Sequence, residues 1–245
     1  MIDTHCHIDL YKSPLDVIRE AEASHTHTIA VTYLPSHFQM AKVHLRGHKY
    51  TRPALGLHPQ ATKDHEREIP LFKALCAEED FIGEIGLDFS AGCKASRSEQ
   101  ELSFETALDC IKDRPRFISL HSRGAEDCVL GHLKRVGVTN AVFHWFSGSK
   151  SQLMRVVDAG HLLSINTSMI CTAKWKEFIQ LVPHDAILTE SDGPFAKLGS
   201  RPGLPTDMSI IIQWLANSWK QPPKDVEGMI VRNCHRVEPL KGFIT

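Results

Sequence analysis

Histidine and carboxylate residues recur where short apolar segments of this chain end. The sequence contains 15 histidines among 245 residues, and histidine is the commonest metal ligand among side chains. His5 and His7 stand two positions apart after the first apolar segment. Side chains with this spacing point to the same face of an extended strand, so both imidazoles could bind one ion. Cys6 would then face the opposite side and pack against a helix.

Other chemically active residues follow later apolar segments. Glu84 lies within Gly83-Glu84-Ile85-Gly86, where a buried carboxylate is costly unless it is paired with a neighbouring cation or bound to metal. His121 and His144 each end an apolar segment, and either residue alone would suggest an ordinary core histidine. Asp192 precedes Gly193-Pro194, a turn that exposes its carboxylate. Together, these residues predict a metal centre.

The segments that must position these residues are short, apolar and regularly spaced. Each is too short for a helix and reads as a buried strand. The predicted strands are Ile2–Thr4, Thr28–Tyr33, Ala54–Leu57, Phe81–Ile85, Phe117–Leu120, Ala141–Phe143, Leu162–Ile165 and Ala186–Leu188.

Longer amphipathic stretches alternate with these strands. The predicted helices are Pro14–Ser24, Ser36–Leu45, Glu66–Glu78, Arg97–Lys112, Ala125–Val136, Ser149–Ala159, Thr172–Leu181, Thr206–Lys220 and Lys224–Cys234. This alternation predicts an α/β protein, a (β/α)8 TIM barrel that forms a single domain over residues 1–245. A doubly wound open sheet is the alternative, but no glycine-rich nucleotide-binding turn follows any strand. In a barrel, the residues that end the strands converge at one mouth.

Composition narrows the classes of partner and compartment. The 28 Lys and Arg residues nearly balance the 29 Asp and Glu residues, which excludes a globally basic nucleic-acid binder. The seven cysteines lack C-x-x-C spacing, so they predict reduced thiols rather than a zinc knuckle. The first residues show no signal-peptide pattern, and no apolar stretch is long enough to cross a membrane. We therefore expect a cytoplasmic protein.

Six motifs, in this order, resemble the TatD family of metal-dependent deoxyribonucleases over essentially the whole chain. They are Asp3-Thr4-His5-Cys6-His7, Gly56-Leu57-His58-Pro59, Gly83-Glu84-Ile85-Gly86-Leu87-Asp88-Phe89, Leu120-His121-Ser122-Arg123, His144-Trp145-Phe146-Ser147-Gly148-Ser149 and Glu190-Ser191-Asp192-Gly193-Pro194. The resemblance implies a TIM barrel that binds two divalent metal ions. His5, His7 and Asp192 would hold one ion, His121 and His144 the other, and Glu84 would bridge them.

Several positions depart from the family pattern. Phe89 stands where tyrosine is usual, Trp145 where cysteine is common, and Gly193 where alanine or serine is usual. The C-terminal Asn233–Val237 matches the closing motif of the family only loosely. Because every ligand position is filled, these departures concern substrate preference rather than metal binding.

The predicted activity is phosphodiester hydrolysis, with 3′-to-5′ exonuclease action on single-stranded DNA. Two divalent ions can activate a water molecule and neutralise charge on a phosphoryl oxygen. Asp192 would serve as both ligand and general base, and Glu84 would orient the ions. His58 and Arg123 are the predicted phosphate contacts. The aromatic residues that follow strands could stack on unpaired bases; these are Phe89, Trp145, Phe146 and Phe195.

The DNA partner and the metals are predicted from the same residues. Lys42, Arg46, Lys49 and Arg52 precede the third strand, and Lys197 and Arg201 follow Asp192. These local cations suit single-stranded ends, because no basic helix is available to enter a duplex groove. Histidine and carboxylate ligands favour Zn, Mn or Fe, whereas the resemblance implies that Mg or Mn supports turnover.

Two other functions remain open from the sequence. The first is a small-molecule hydrolase of the amidohydrolase or lactonase type, although that superfamily often has a bridging lysine where this chain has Glu84. The second is a metal-binding subunit that is active only within a larger nucleic-acid-processing or defence complex. The remaining histidines are predicted to lie in helices or loops as packing or solvated residues, among them His25, His27, His44, His65 and His132.

Overall fold

Eight parallel strands form the centre of the computed structural model, which describes residues 1–244. Each strand pairs with the next one along the chain, in the order β1 to β8. The strands are β1 Ile2–Cys6, β2 His27–Val31, β3 Thr51–Leu57, β4 Phe81–Gly86, β5 Phe117–His121, β6 Val142–Phe143, β7 Leu162–Ile165 and β8 Ile187–Thr189. This sequential parallel order is that of a TIM barrel, and it excludes the doubly wound alternative.

The seam between β8 and β1 is closed by side chains as well as by the backbone. The Thr4 hydroxyl donates to the carbonyl of Thr189 at 3.0 Å, and the Thr189 hydroxyl in turn donates to the carbonyl of Ile2 at 2.5 Å. Beyond the end of β8, the Asp192 N–H donates to the His5 carbonyl at 2.8 Å. The closure therefore ties the predicted ligand Asp192 directly to the strand end that carries His5.

Helices cover the outside of the barrel. They are α1 Pro14–Ala23, α2 Pro35–His44, α3 Thr62–Cys76, α4 Arg97–Ile111, α5 Glu126–Val136, α6 Lys150–Asp158, α7 Thr167–Ile170, α8 Ala173–Phe178, α9 Met208–Trp219, α10 Pro223–Cys234 and α11 Glu238–Phe243. No helix within residues 1–244 is both long and apolar enough to cross a bilayer.

The structure corrects several predicted boundaries. Helix α3 begins at Thr62 rather than Glu66, because its first turn is polar and carries no apolar periodicity. His27 opens β2 rather than lying in a helix or loop. The short helices α7 and α11 were not expected. A small hairpin of β9 (Lys197–Leu198) and β10 (Arg201–Pro202) also follows β8, where the sequence offers only short polar and turn residues.

The core lies between the strands and the helix layer. Fully buried aromatic rings from several elements fill this layer, including Phe38 of α2, Phe72 of α3 and Phe104 of α4. Cys6 faces away from the barrel axis and packs with Val17 and Ile18 of α1, as predicted. The barrel is therefore a packed scaffold, and its functional groups are confined to the strand ends.

Candidate active site

Five of the six predicted ligands line a cavity of about 520 Å³ at the C-terminal mouth of the barrel, and the sixth, His5, is fully buried beside them. Strand ends from around the barrel contribute to its walls, as expected for this fold. The residues that line it are His7, Tyr33, His58, Gln60, Glu84, His121, Ser122, Arg123, His144, Trp145, Ser147, Asp192 and Phe195.

Glu84 is the centre of the site. Its side chain is 1% exposed, and its two oxygens face five imidazoles. Oε1 lies 2.5 Å from His121 Nδ1 and 2.7 Å from His144 Nε2. Oε2 lies 3.1 Å from His7 Nε2, 3.2 Å from His58 Nε2 and 3.4 Å from His5 Nε2. The prediction that these residues converge is therefore supported by the geometry.

The carboxylates and imidazoles shift one another's proton affinities. Burial by itself would raise the pKa of Glu84, but the surrounding imidazoles, His58 first, hold it well below its usual value. Burial opposes protonation of His144, yet the Glu84 carboxylate raises the pKa of this histidine well above the ordinary value. Burial and the charge of His144 lower the pKa of His5. The site thus combines a firmly ionised Glu84 with histidines of divergent basicity.

In two of the histidines, the outward nitrogen, which faces away from Glu84, also has a hydrogen-bond partner. His5 Nδ1 lies 2.7 Å from the Ser119 hydroxyl, and His121 Nε2 lies 3.0 Å from Asp88 Oδ2. A neutral imidazole has one N–H and one lone pair. When the outward nitrogen donates to its partner, the lone pair points at Glu84, which is the state that a metal ligand requires.

His58 has the opposite arrangement. Its Nδ1 accepts a hydrogen bond from the Gln60 N–H at 3.1 Å, so in the neutral ring the proton is on Nε2, which faces Glu84. The ring stacks on Tyr33 with centroids 4.0 Å apart. Burial lowers the pKa of His58 to about 4, which keeps the ring neutral near pH 7. His58 therefore presents a hydrogen-bond donor to the cavity rather than a metal-binding lone pair.

Asp192 lies opposite Glu84 across the histidines. Its Oδ1 is 3.6 Å from His5 Nε2 and 3.8 Å from His7 Nε2. Burial raises the pKa of this carboxyl well above the usual value. The backbone of Asp192 has a φ of +41° and that of Trp145 a φ of +35°, conformations that cost about 1–3 kcal/mol each in a non-glycine residue. The structure thus maintains backbone strain at two cavity-lining positions.

The donor set fits a divalent cation. Within residues 1–244, the buried atoms Glu84 Oε2 and Asp192 Oδ1 accept no hydrogen bond of acceptable geometry, although imidazole nitrogens surround them. Three sets of side chains place their ligand atoms within 4.8 Å of one another. These sets are His5, His7 and Glu84; His5, His144 and Asp192; and His58, Glu84 and His121. Carboxylate and imidazole ligands are those that Zn, Mn and Fe bind.

The predicted substrate-contacting residues divide between the cavity and the core. Arg123 and Trp145 line the cavity, as does Phe195, whose side chain is 46% exposed. Phe146 is 1% exposed and belongs to the hydrophobic core, so its ring is not available for stacking on a base. Phe89 packs partly buried against the core beneath Arg97, which lies 4.3 Å from the ring centroid. The strand-end pattern therefore located the aromatic residues but did not determine which of them face the mouth.

The predicted cationic cluster lies at the wrong end of the barrel. Lys42 lies in the last turn of α2, Arg46 and Lys49 follow that helix, and Arg52 is the second residue of β3. Segments that lead into a strand lie at its N-terminal end. Lys49 and Arg52 line a separate cavity with His27 and Phe81, the first residues of β2 and β4. These cations cannot contact a substrate bound at the opposite mouth. Lys197 lies on the correct side, whereas Arg201 is neutralised by Asp207 at 2.5 Å.

Sequence reasoning did not identify several residues that support the site. Tyr33 and Gln60 line the cavity. His65, predicted to be a packing or solvated residue, is buried and its Nε2 lies 3.0 Å from the His58 carbonyl. Tyr33 ends the second predicted strand, so the rule that located His121 and His144 would also have located it. Gln60 and His65 carry no such signal, because their positions depend on how α3 begins.

A sequence model of the TatD related DNase family matches residues 2–238. The chain belongs to this family. Its alignment with human deoxyribonuclease TATDN3 spans 261 residues at 26% identity and covers 98% of this chain and 94% of that protein. Its alignment with the 3′-5′ ssDNA/RNA exonuclease TatD of Pantoea ananatis spans 211 residues at 26% identity and covers 80% of this chain and 79% of that protein.

The structural comparison supports the TatD fold. The TatD homologue YJJV of Escherichia coli K12 superposes with a TM-score of 0.86 at 23% identity, and the match covers 97% of each chain. Together with the family match and the cluster around Glu84, these similarities make the protein a TatD-family metal-dependent hydrolase that acts on ester bonds.

Proposed function

We propose that this TatD-family protein is a 3′-to-5′ exonuclease that hydrolyses terminal phosphodiester bonds of single-stranded DNA at a site for two divalent ions. The observation that carries the proposal is the arrangement of Glu84, with five imidazoles around one buried carboxylate at an open mouth. The relative from Pantoea ananatis is named a 3′-5′ ssDNA/RNA exonuclease, which supports the polarity and the single-stranded substrate.

The residues that would hold the ions are those predicted from the sequence. His5, His7 and Asp192 would hold one, His121 and His144 the other, and Glu84 would bridge both. When bound, two such ions lower the pKa of water and neutralise charge on a phosphoryl oxygen. The Asp192 carboxylate lies at the edge of the cavity, where it would accept the proton of the attacking water.

The remaining cavity residues would bind and orient the nucleic acid. The His58 Nε2–H would donate to a phosphate oxygen, because its tautomer is set by the Gln60 N–H. Arg123 is exposed, and within residues 1–244 no carboxylate lies within 4.0 Å of its guanidinium, so its charge is available to a second phosphate oxygen. Trp145 and Phe195 would stack on the terminal bases, a contact that every base permits.

The geometry of the mouth favours an end over an internal duplex site. A duplex presents its bases inside paired stacks, whereas the aromatic rings at this mouth require unstacked bases. The predicted cluster of Lys42, Arg46, Lys49 and Arg52, which could have contacted the phosphates of a longer nucleic acid, lies at the opposite end of the barrel. Local positive charge would come from Arg123, Lys197, the ions and Lys174, whose Nζ donates to the carbonyl of the cavity-lining Ser147 at 2.6 Å.

The decisive experiment compares 3′-labelled and 5′-labelled single-stranded DNA after the purified protein has been stripped with chelator and reloaded with Mg, Mn or Zn. We expect stepwise shortening from the 3′ end with at least one metal and none with chelator. Glu84→Gln should reduce cleavage to the chelated level, while Glu99→Gln on exposed α4 should not. Cleavage that persists in chelator or in Glu84→Gln would refute the two-ion proposal.

The same preparations test the alternative functions. Hydrolysis of lactone or dihydropyrimidine substrates without DNA cleavage would favour the amidohydrolase type. Metal binding without hydrolysis of any of these substrates would favour a subunit that needs a partner complex. Either result would overturn the exonuclease proposal.

A further inference from the structure

Asp88 is a buried carboxylate that contacts a predicted ligand from the side away from Glu84. It follows the end of β4 within the Gly86-Leu87-Asp88 segment and is 0% exposed. Its Oδ2 lies 3.0 Å from His121 Nε2, while Glu84 Oε1 lies 2.5 Å from His121 Nδ1. The His121 ring is therefore held between two carboxylates, one through each nitrogen.

Four further hydrogen bonds fix the position of Asp88. Oδ2 also accepts from Gln60 Nε2 at 2.7 Å, and Oδ1 accepts from the Ser90 N–H at 2.9 Å. The buried Gln100 accepts from the Asp88 N–H at 2.7 Å and donates to its carbonyl at 3.0 Å. These bonds restrain both the backbone and the side chain of Asp88. Because Gln60 Nε2 and the Ser90 N–H are both donors, the two oxygens of the Asp88 carboxylate act as acceptors.

We propose that Asp88 is a positioning residue that keeps a proton on His121 Nε2 and thereby leaves the Nδ1 lone pair for a metal ion on the Glu84 side. This inference rests on the proposed function in one respect, that His121 binds an ion. A carboxylate accepts but cannot donate when ionised, so its partner nitrogen must carry the hydrogen. Such outer partners fix the ring orientation and tautomer of metal-binding histidines and typically contribute 10- to 100-fold in metal affinity.

An asparagine at position 88 tests this proposal with almost no change in shape. Its Oδ1 must remain toward the Ser90 N–H, because that backbone donor cannot turn away. The amide NH2 then takes the place of Oδ2 and faces His121 Nε2. Gln60 can rotate its amide to offer an oxygen, but His121 must accept at Nε2 and carry its proton on Nδ1. That tautomer can still donate to Glu84, although it cannot bind metal.

The experiment is a titration of the stripped protein with Co²⁺, whose visible absorption reports ligand geometry and the number of occupied sites. For Asp88→Asn we expect one equivalent of Co²⁺ to bind about 10- to 100-fold more weakly than in the wild type, with its absorption bands altered. The other equivalent should be unaffected. Excess metal should restore both sites. The thermal midpoint of the metal-free variant should remain close to that of the wild type.

Three further variants keep the test falsifiable. Asp9→Asn removes an exposed mouth carboxylate that influences His7 only through its charge, so its Co²⁺ affinities should stay within about two-fold of the wild type. Gln60→Ala removes the hydrogen bond to Asp88 Oδ2 but leaves the contact between Asp88 and His121 in place, so it should weaken the same equivalent of Co²⁺ by less than Asp88→Asn does. Asp88→Ser retains a short acceptor for the Ser90 N–H and should weaken the same equivalent if Asp88→Asn does not fold.

The possible results separate this inference from the proposed function. Wild-type Co²⁺ affinity and spectrum in a folded Asp88→Asn or Asp88→Ser variant would overturn the positioning role. A loss of thermal stability without a change in affinity would also overturn it, since this would indicate a purely structural residue. Failure of the wild type to bind Co²⁺ would instead refute the metal site on which the proposed function depends.

Discussion

The hydroxyl of Tyr11 occupies the space that a side chain at position 193 would need. A Cβ atom on Gly193 would overlap Tyr11 Oη and approach the Gly203 carbonyl. Tyr11 donates a hydrogen bond to that same Gly203 carbonyl, beside the β9–β10 hairpin. The glycine that departs from the usual alanine or serine of the family is therefore required by the tyrosine of this chain.

This relationship predicts that Gly193→Ala destabilises the protein. We expect a loss of about 1–3 kcal/mol in the free energy of unfolding, typical of an inserted methyl group that forces neighbours to move. Gly131 of helix α5 has open space around it, so Gly131→Ala should be neutral or stabilising by up to about 1 kcal/mol. Urea denaturation of both variants checks the prediction, and equal stabilities would contradict it.

Trp145 and its neighbour Phe146 should have separable effects. Trp145→Ala removes a cavity-lining ring and should raise KM for single-stranded DNA about 5- to 150-fold, the equivalent of one stacking contact of about 1–3 kcal/mol. Phe146→Leu should instead lower the free energy of unfolding by about 1–3 kcal/mol, because its buried ring belongs to the core. Steady-state kinetics on both variants give KM, and urea denaturation gives the free energy of unfolding. A KM effect from Phe146→Leu in fully folded protein would place its ring in the site after all.

Arg123 and Arg46 are both exposed arginines, but they lie at opposite ends of the barrel. Arg123→Ala should weaken DNA binding roughly ten-fold through the loss of one charged hydrogen bond and should reduce the salt dependence by roughly one phosphate contact. Arg46→Ala should change neither quantity. To test both expectations, each arginine substitution is combined with Glu84→Gln, and DNA binding is measured at a series of salt concentrations. An equal effect of both substitutions would show that the substrate does not enter at the mouth.

His161 should contribute a pH dependence of stability. It is 2% exposed, and burial lowers its pKa from 6.5 to about 4. Between these values the unfolded chain binds a proton that the folded protein does not, so stability is present above pH 6.5 and falls as the pH decreases toward 4. The full loss is about 3 kcal/mol at most. His161→Leu should flatten this part of the profile.

Urea denaturation of chelator-treated wild type and His161→Leu at pH 7, 5.5 and 4.5 isolates the contribution of His161. The titrating site histidines are common to both proteins and cancel in the difference. Parallel stability profiles would show that His161 is protonated equally in the folded and unfolded states.

The barrel and the residues that meet at its mouth could be predicted from the sequence. Strands buried on both faces must be apolar throughout, so Phe117–Leu120 and Leu162–Ile165 could be identified without a structure. Because the fold brings strand ends together, a polar residue that ends such a segment is already a site candidate. His121 and His144 follow this rule, whereas Glu84 is recognised as a carboxylate inside the otherwise apolar segment Phe81–Ile85. The convergence of the three follows from the topology of the barrel.

What the sequence could not determine was the direction of individual side chains beyond the strand ends. Trp145 and Phe146 are adjacent and chemically alike, yet one lines the cavity and the other fills the core, because the backbone turns to a positive φ at Trp145. Likewise, His58 and His121 both end predicted apolar segments, but the Gln60 N–H of the turn after β3 contacts the His58 ring, whereas the tertiary structure brings the Asp88 carboxylate to the His121 ring. Residue types and their order determined which groups reach the mouth. Which nitrogen of the His121 ring carries the proton depends on a hydrogen bond between segments 33 residues apart, which only the folded chain brings together.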